Sequence, residues 1–190
     1  MKALPMTDPR FDTIAAMITQ YGHLSYGEAI TQLDHVLQCG QLAIEAGEPD
    51  ALVVAALLHD IGQFIDDAGH AAETTGVDAR HEDLGADWLA RWYGPEVTEP
   101  VRMHVAAKRY LCAVEHGYEA ALSRASQLSL ALQGGAMDAG EVEAFAAQPW
   151  FDEAVRLRRY DDAGKRIGWQ VPDLASHHDR TVATMRSRDA

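Results

Sequence analysis

Residues 51–64, ALVVAALLHDIGQF, are aliphatic almost without interruption until a histidine and an aspartate break the run. The stretch is three to four helical turns long, and its alanines and leucines favour helix over a buried strand. A helix apolar on every side must lie at the centre of a fold, with other helices packed around it. The rest of the chain supplies them. Asp8-Pro9 reads as an N-cap and first helical position for a helix to about residue 20. From Glu28 the set Ile30, Leu33, Val36, Leu37, Ala43 and Ile44 keeps the 3, 4, 7 period until Gly47 closes it. Further helices are expected over 81–93, 99–112, 118–132, 138–147, 149–164 and 172–187, three of them opened by Pro100, Pro149 and Pro172. Residues 66–80, rich in Gly, Ala, Thr and Asp, read as a loop or lid over a site. No segment alternates as a strand over more than a few residues, so the expected fold is all-α, with residues 1–190 forming one domain.

Composition excludes several classes of function. With 16 Lys and Arg against 29 Asp and Glu, the net charge of -13 opposes a nonspecific grip on nucleic acid or an anionic bilayer. No apolar run reaches the ~20 residues of a membrane span, and residues 1–20 lack a signal peptide's apolar core. Cys39 and Cys112 are too few for a disulfide framework and read as reduced thiols on partly buried helices. A cytoplasmic location is expected, with no nucleic-acid or membrane partner; the oligomeric state is left open.

The chemistry centres on His59-Asp60. A carboxylate at the end of an aliphatic helix is costly to bury unless a cation compensates it, and adjacent His and Asp side chains there can reach two neighbouring metal ions. An isolated His-Asp pair is common in structural roles, but this one is accompanied by His35 upstream and by His81, His104 and Asp161 downstream. The order H...HD...H...H...D resembles the HD-domain superfamily of metal-dependent helical bundles. That resemblance implies a dinuclear site held by His35, His59, Asp60, His81, His104 and Asp161, with His59 and Asp60 at the catalytic centre. Four imidazoles and two carboxylates suit iron, manganese, nickel or zinc alike.

Four words, EAITQLDHVLQ (28–38), HEDLGADWL (81–89), HVAAKRYL (104–111) and RRYDDAGK (158–165), resemble the mixed-valent di-iron oxygenases of the superfamily. The implied activity is oxidative cleavage of the carbon-phosphorus bond of a small-molecule hydroxyphosphonate. The implied substrate is a 1-hydroxy-2-(trimethylammonio or amino)ethylphosphonate, giving glycine betaine or glycine plus phosphate in organophosphonate catabolism. Two iron ions as an Fe(II)/Fe(III) pair, and O2 as cosubstrate, come with the resemblance. The same ligands also serve metal-dependent phosphohydrolases acting on a phosphomonoester or nucleotide, and non-catalytic regulatory HD domains.

Spacing supports an anion pocket beside the metals. Lys108 lies four residues from His104 and Arg158 three from Asp161, so each cation shares a helix face with a proposed ligand. A phosphonate fits an ammonium and a forked guanidinium. By resemblance Ser126 and Gln32 add neutral donors, and Glu28, beside a lid tyrosine for which Tyr26 is the nearby candidate, faces the substrate's cationic nitrogen. Tyr26 would favour a quaternary ammonium through its ring face. Where the aminohydroxyphosphonate oxygenases read HDxGH, this chain reads HDIGQ, so Gln63 replaces a titratable histidine. His23, His70, His116, His177 and His178 are expected at the surface or at caps, and Trp88, Trp92, Trp150 and Trp169 in packing roles.

Overall fold

The computed structural model describes residues 8–24, 30–65, 78 and 80–187. Tyr26, Glu28, His70 and nearly all of the expected 66–80 loop lie outside the described residues. Among those described there are ten α-helices and no strand, as the missing alternation predicts. They are α1 (Pro9–Tyr21), α2 (Gln32–Glu45), α3 (Asp50–Leu58), α4 (His81–Leu89), α5 (Pro95–Val114), α6 (Tyr118–Ala121), α7 (Arg124–Leu132), α8 (Ala139–Ala146), α9 (Phe151–Ala163) and α10 (His178–Ala183), with 3-10 turns at Ile61–Phe64 and Leu174–His177.

Helix α3 is the central element. Every residue from Leu52 to Leu58 is buried, and α2, α5 and α9 pack around it, while α4 lies along α5. The aliphatic run does not continue as helix to residue 64. It unwinds at His59 and Asp60, with Asp60 at φ -95, ψ 7 before the 3-10 turn begins. The His59 ring folds back, its Nδ1 donating to the Ala56 carbonyl at 2.9 Å, which occupies one of the carbonyls a helix end leaves over. The break thus turns both side chains out of the helix at the middle of the core.

Local signals account for most boundaries. Asp8 accepts from the Arg10 amide, with Pro9 in the first turn, and Gly47 follows α2 at φ 74. Helix α2 begins later than its apolar period predicts, at Gln32, because Thr31 and Asp34 form a capping box there. Pro100 does not open α5. Pro95 takes the first turn and Pro100 sits inside the helix, which continues because Val101, His104, Val105, Ala107, Lys108 and Leu111 are all buried by their neighbours. The expected 118–132 helix is divided in two, since Ser123 caps α7 through the Ser126 amide. Pro149 precedes α9, whose N-cap is Trp150 in a left-handed conformation, φ 68.

The cysteine expectation holds, and two of the four tryptophans expected in core packing, Trp88 and Trp92, are found there, whereas Trp150 and Trp169 join no buried cluster among the described residues. Trp88 and Trp92 pack half-buried on the core and flank the Arg91 guanidinium; Trp169 lies under Arg166. Cys39 is buried and Cys112 half-buried, both as free thiols. His23 and His116 are exposed, and His178 is half-buried against Phe11. His177, expected at the surface or at a cap, is the N-cap residue of α10 and is 2% exposed, because the Leu174–His177 turn runs directly into α10, which packs against α1 and α3. Because α3 is enclosed on all sides, truncating it should leave an unfilled cavity: Leu57→Ala should cost about 2–5 kcal/mol in urea unfolding, whereas truncating exposed Leu128 should cost little.

Candidate metal centre

Five elements meet at Asp60. His35 comes from α2, His59 and Asp60 from the end of α3, His81 from the first residue of α4, His104 from α5, and Asp161 from α9. All are buried or nearly so, with Asp60 and Asp161 each 2% exposed and His35 and His59 at 0%. The six residues expected as ligands are therefore brought together.

Their atoms divide into two sets about the Asp60 carboxylate. Its Oδ2 lies 3.5 Å from His59 Nε2 and 3.7 Å from His35 Nε2, and His35 Nε2 is 3.4 Å from Asp161 Oδ1. Its Oδ1 lies 3.4 Å from His81 Nε2 and 4.0 Å from His104 Nε2. Within the pairs, His35 and His59 face each other Nε2 to Nε2 at 3.3 Å, and His81 and His104 at 3.2 Å. Two ligand atoms bound about 2.1 Å from one metal stand roughly 3–3.5 Å apart, which is the spacing of both pairs.

Hydrogen bonds to the far side of the rings fix which nitrogen faces inward. His35 Nδ1 donates to the Gly164 carbonyl at 2.8 Å, His59 Nδ1 to Ala56, and His104 Nδ1 to the Val101 carbonyl at 2.6 Å. A carbonyl only accepts, so each Nδ1 carries the proton and the Nε2 lone pair is available to a metal. His81 Nδ1 instead lies 3.5 Å from Glu82 Oε2, an ion-pair separation without a hydrogen bond. Asp60 Oδ2 is buried with no hydrogen-bond partner. An orphaned carboxylate oxygen facing imidazole lone pairs is repulsive until a cation lies among them, so the donor set fits a metal cofactor.

The charge states divide the four rings. Burial drives His59 below the ordinary imidazole value, and burial together with His81 and His59 lowers His104 to about 3, so both are neutral, as a ligand must be. Against its burial, His35 is raised to about 10 by Cys39 and Asp161, and His81 is raised by Asp60 and Glu82, so a metal bound there takes the place of protons. Burial works against the Asp60 carboxylate, yet His59, His81 and His35 hold it far below the usual range. Asp161 is likewise held down, against its burial, by Arg158 and Lys165.

Two glycines let the elements close on one another. A Cβ on Gly62 would stand 1.9 Å from the His81 carbonyl oxygen and 2.7 Å from the Gly85 amide nitrogen, so only glycine lets the turn after Asp60 touch the start of α4. A Cβ on Gly164 would stand 2.5 Å from Cys39 Sγ, and Gly164 is the residue whose carbonyl orients His35. Gln38 then clamps the next stretch from α2, its Nε2 donating to the Arg166 carbonyl at 2.9 Å and its Oε1 accepting from the Arg166 amide at 2.8 Å.

The cations beside the metals are also placed. Lys108 is buried, 2% exposed, and its Nζ donates to Ser129 Oγ at 2.8 Å. Ser126 is buried on the same helix, α7. Gln32 is buried, its Nε2 donating to Gln63 Oε1 at 2.8 Å, so the residue standing in for a histidine orients an expected substrate ligand. Arg158 is engaged more closely than spacing alone conveys: Nη1 donates to Asp161 Oδ2 at 2.7 Å, Nη2 to Asp162 and Nε to the Tyr118 hydroxyl at 3.1 Å, which itself bonds Asp162. Glu82, Ser129 and Lys165 escaped the sequence reading. Lys165 could have been found by the four-residue spacing that singled out Lys108, since it lies four beyond Asp161.

The two kinds of support predict different failures. Asp60→Ala should remove the shared ligand and release metal from the whole site while helical content is retained, because the apolar core does not depend on that carboxylate. Gly62→Ala should displace α4, lowering metal content through the His81 half and destabilising the fold by about 1–3 kcal/mol. Metal analysis with circular dichroism and urea unfolding checks both, and full metal content in either variant contradicts the arrangement.

Comparison with known proteins agrees with this geometry. The family described as HD domain matches residues 33–131. Hydroxymethylphosphonate dioxygenase of Gimesia maris is 43% identical over 170 residues, covering 89% of this chain and 85% of that protein. The [1-hydroxy-2-(trimethylamino)ethyl]phosphonate dioxygenase (glycine-betaine-forming) of Leisingera caerulea is 44% identical over 147 residues, 77% of this chain and 75% of its own length. The uncharacterized protein L432 of Acanthamoeba polyphaga mimivirus is 32% identical over 166 residues, 86% of this chain and 76% of that one. With His59 and Asp60 at the meeting point of its helices and the family match running through them, the chain belongs to the HD-domain proteins.

Proposed function

We propose that this chain is an O2-dependent oxygenase that cleaves the carbon-phosphorus bond of a 1-hydroxyalkylphosphonate, with its whole length forming one HD-type metal-binding domain in the cytoplasm. The observation that carries the reading is the Asp60 carboxylate facing two imidazole pairs, with the buried cation Lys108 close to His81 and Asp161. The two named relatives act on substrates that share a hydroxyl and a phosphonate on one carbon and differ in what else that carbon bears. The shared part is what this pocket suits.

The reaction balances without another reductant. A 1-hydroxyalkylphosphonate dianion and O2 give a carboxylate, hydrogen phosphate and one proton, so the substrate supplies all the electrons that O2 takes up. Two iron ions as an Fe(II)/Fe(III) pair, when bound by the six ligands, supply the oxygen activation and electron exchange. The chain supplies placement. Lys108, Ser126 and Gln32 hold the phosphonate, and Arg158 reaches it with the one N–H left on each terminal nitrogen after its bonds to Asp161, Asp162 and Tyr118 are counted. His59 and Asp60 carry the reacting centre, and burial of all these groups keeps water from competing.

For the substituent on the hydroxyl-bearing carbon we propose a trimethylammoniomethyl or aminomethyl group read by Glu28 and Tyr26, with the trimethylated form favoured by Tyr26 together with Gln63 in place of a histidine. A phosphohydrolase uses the same ligands, and the names of the relatives favour the oxygenase over it. A panel of hydroxymethylphosphonate, the 2-amino and 2-trimethylammonio 1-hydroxyethylphosphonates and a phosphomonoester separates the readings. Oxygen consumption matched by phosphate release from a hydroxyphosphonate, by protein holding about two irons, is the expected result. Phosphate released from the ester without oxygen uptake would establish the phosphohydrolase instead.

A pH profile tests the pocket. Burial and the nearby Arg158 charge lower Lys108 to about 8. Its ammonium is therefore present below that pH and lost above it, so kcat/KM should fall as pH rises through about 8. Lys108→Met should have low kcat/KM throughout and lack that alkaline limb; an unchanged limb would place the titration elsewhere.

A further inference from the structure

Three of the four rings in the cluster are held from behind by a backbone carbonyl, and the fourth is not. His59 and His104 each reach the carbonyl three residues back along their own helices, Ala56 and Val101, and His35 reaches Gly164 across the fold. His81 is the first residue of α4, so no helical turn lies behind it to supply such a carbonyl. Its Nε2 faces His104 and Asp60, whereas its Nδ1 makes no hydrogen bond among the described residues and stands 3.5 Å from Glu82 Oε2.

Glu82 has the matching deficit. It is 9% exposed, and its Oε2 is buried without a hydrogen-bond partner. A metal on Nε2 of an imidazole leaves the ring proton on Nδ1, the nitrogen that faces this carboxylate. A shift of roughly 0.5 Å converts the contact into a charge-assisted hydrogen bond. A carboxylate in the first turn of a helix is also favoured by the helix dipole, and α4 has no side-chain cap. Asp83 in the same turn already serves that purpose, paired with Arg80 and Arg102, whereas the ion pair of Glu82 is with His81 itself.

We propose that Glu82 is a positioning residue of the metal centre, whose carboxylate accepts from His81 Nδ1 when His81 binds metal and so anchors the one ligand ring that the backbone does not hold. The inference rests on the metal-centre reading and is independent of the substrate. It divides the support of the cluster: the His35 and His59 rings depend on backbone carbonyls, and the His81 ring depends on a side chain that substitution can remove.

The test follows metal retention rather than turnover. Protein loaded with ferrous iron under argon is mixed with a colour-forming ferrous chelator, and the rate of iron release is recorded. Glu82→Leu should release iron about tenfold or more faster than the unsubstituted protein, with its helical circular dichroism retained. Glu82→Gln, which keeps an acceptor at the same reach, should recover most of the retention. Asp83→Leu should lower the urea midpoint but leave the release rate as it is. An unaltered rate in Glu82→Leu would overturn the role, as would a faster rate that Glu82→Gln does not restore or that Asp83→Leu reproduces. Failure of the unsubstituted protein to hold iron would overturn the metal-centre reading as well.

Discussion

A carboxylate placed where four imidazoles converge, 2% exposed, dominates the energetics of this protein. Asp60 would cost several kcal/mol to bury alone, and hydrogen bonding does not relieve both its oxygens, since Oδ2 has no such partner. Three of the four rings that face it have their outer nitrogens committed to backbone carbonyls. What remains is a set of inward-facing nitrogens and oxygens held at ligand spacing by a packed fold. The interior is stable in spite of this site rather than because of it, and a cation is what the arrangement is complementary to.

The apolar run creates that situation and also tolerates it. Helix α3 is enclosed by α2, α5 and α9, so whatever follows its last turn emerges at the centre of the fold. Ending the helix with His-Asp places two candidate ligands there, and Gly62 lets α4 come close enough to bring His81. On the other side, Gly164 allows the end of α9 to rest on Cys39, which positions the carbonyl that orients His35. Ligands far apart in sequence converge because the backbone is narrow at these two contacts.

What could be foreseen from sequence was what depends on period or order. The all-helical class, the α3 core and the Asp8 and Gly47 boundaries follow from residue type at a given spacing, and the six residues that meet at Asp60 are picked out by their resemblance to the HD-domain order. What depends on the third dimension was not legible. Pro100 stands as a helix opener by local rules and is overruled by burial along α5; His177 has a polar ring and is carried inward by the turn that holds it. Arg158 illustrates the same limit within the site. Its three-residue distance from Asp161 shows that the two share a face, but not that Asp162 and Tyr118 also hold the guanidinium.

The acidic composition and the cationic pocket are parts of one electrostatic design. A chain of net charge -13 repels anions at long range, though salt screens that field beyond about 8–10 Å. Close to the site the balance reverses, because Lys108, Arg158 and Lys165 lie in a low-dielectric interior where each charge acts at greater strength than at the surface. Two carboxylates, Asp161 and Asp162, restrain the guanidinium, and one of these also serves the metal cluster. Attraction for an anion is thereby confined to the place where it is useful. A polyanion meets the acidic exterior first, whereas the cations lie in the interior beside the cluster.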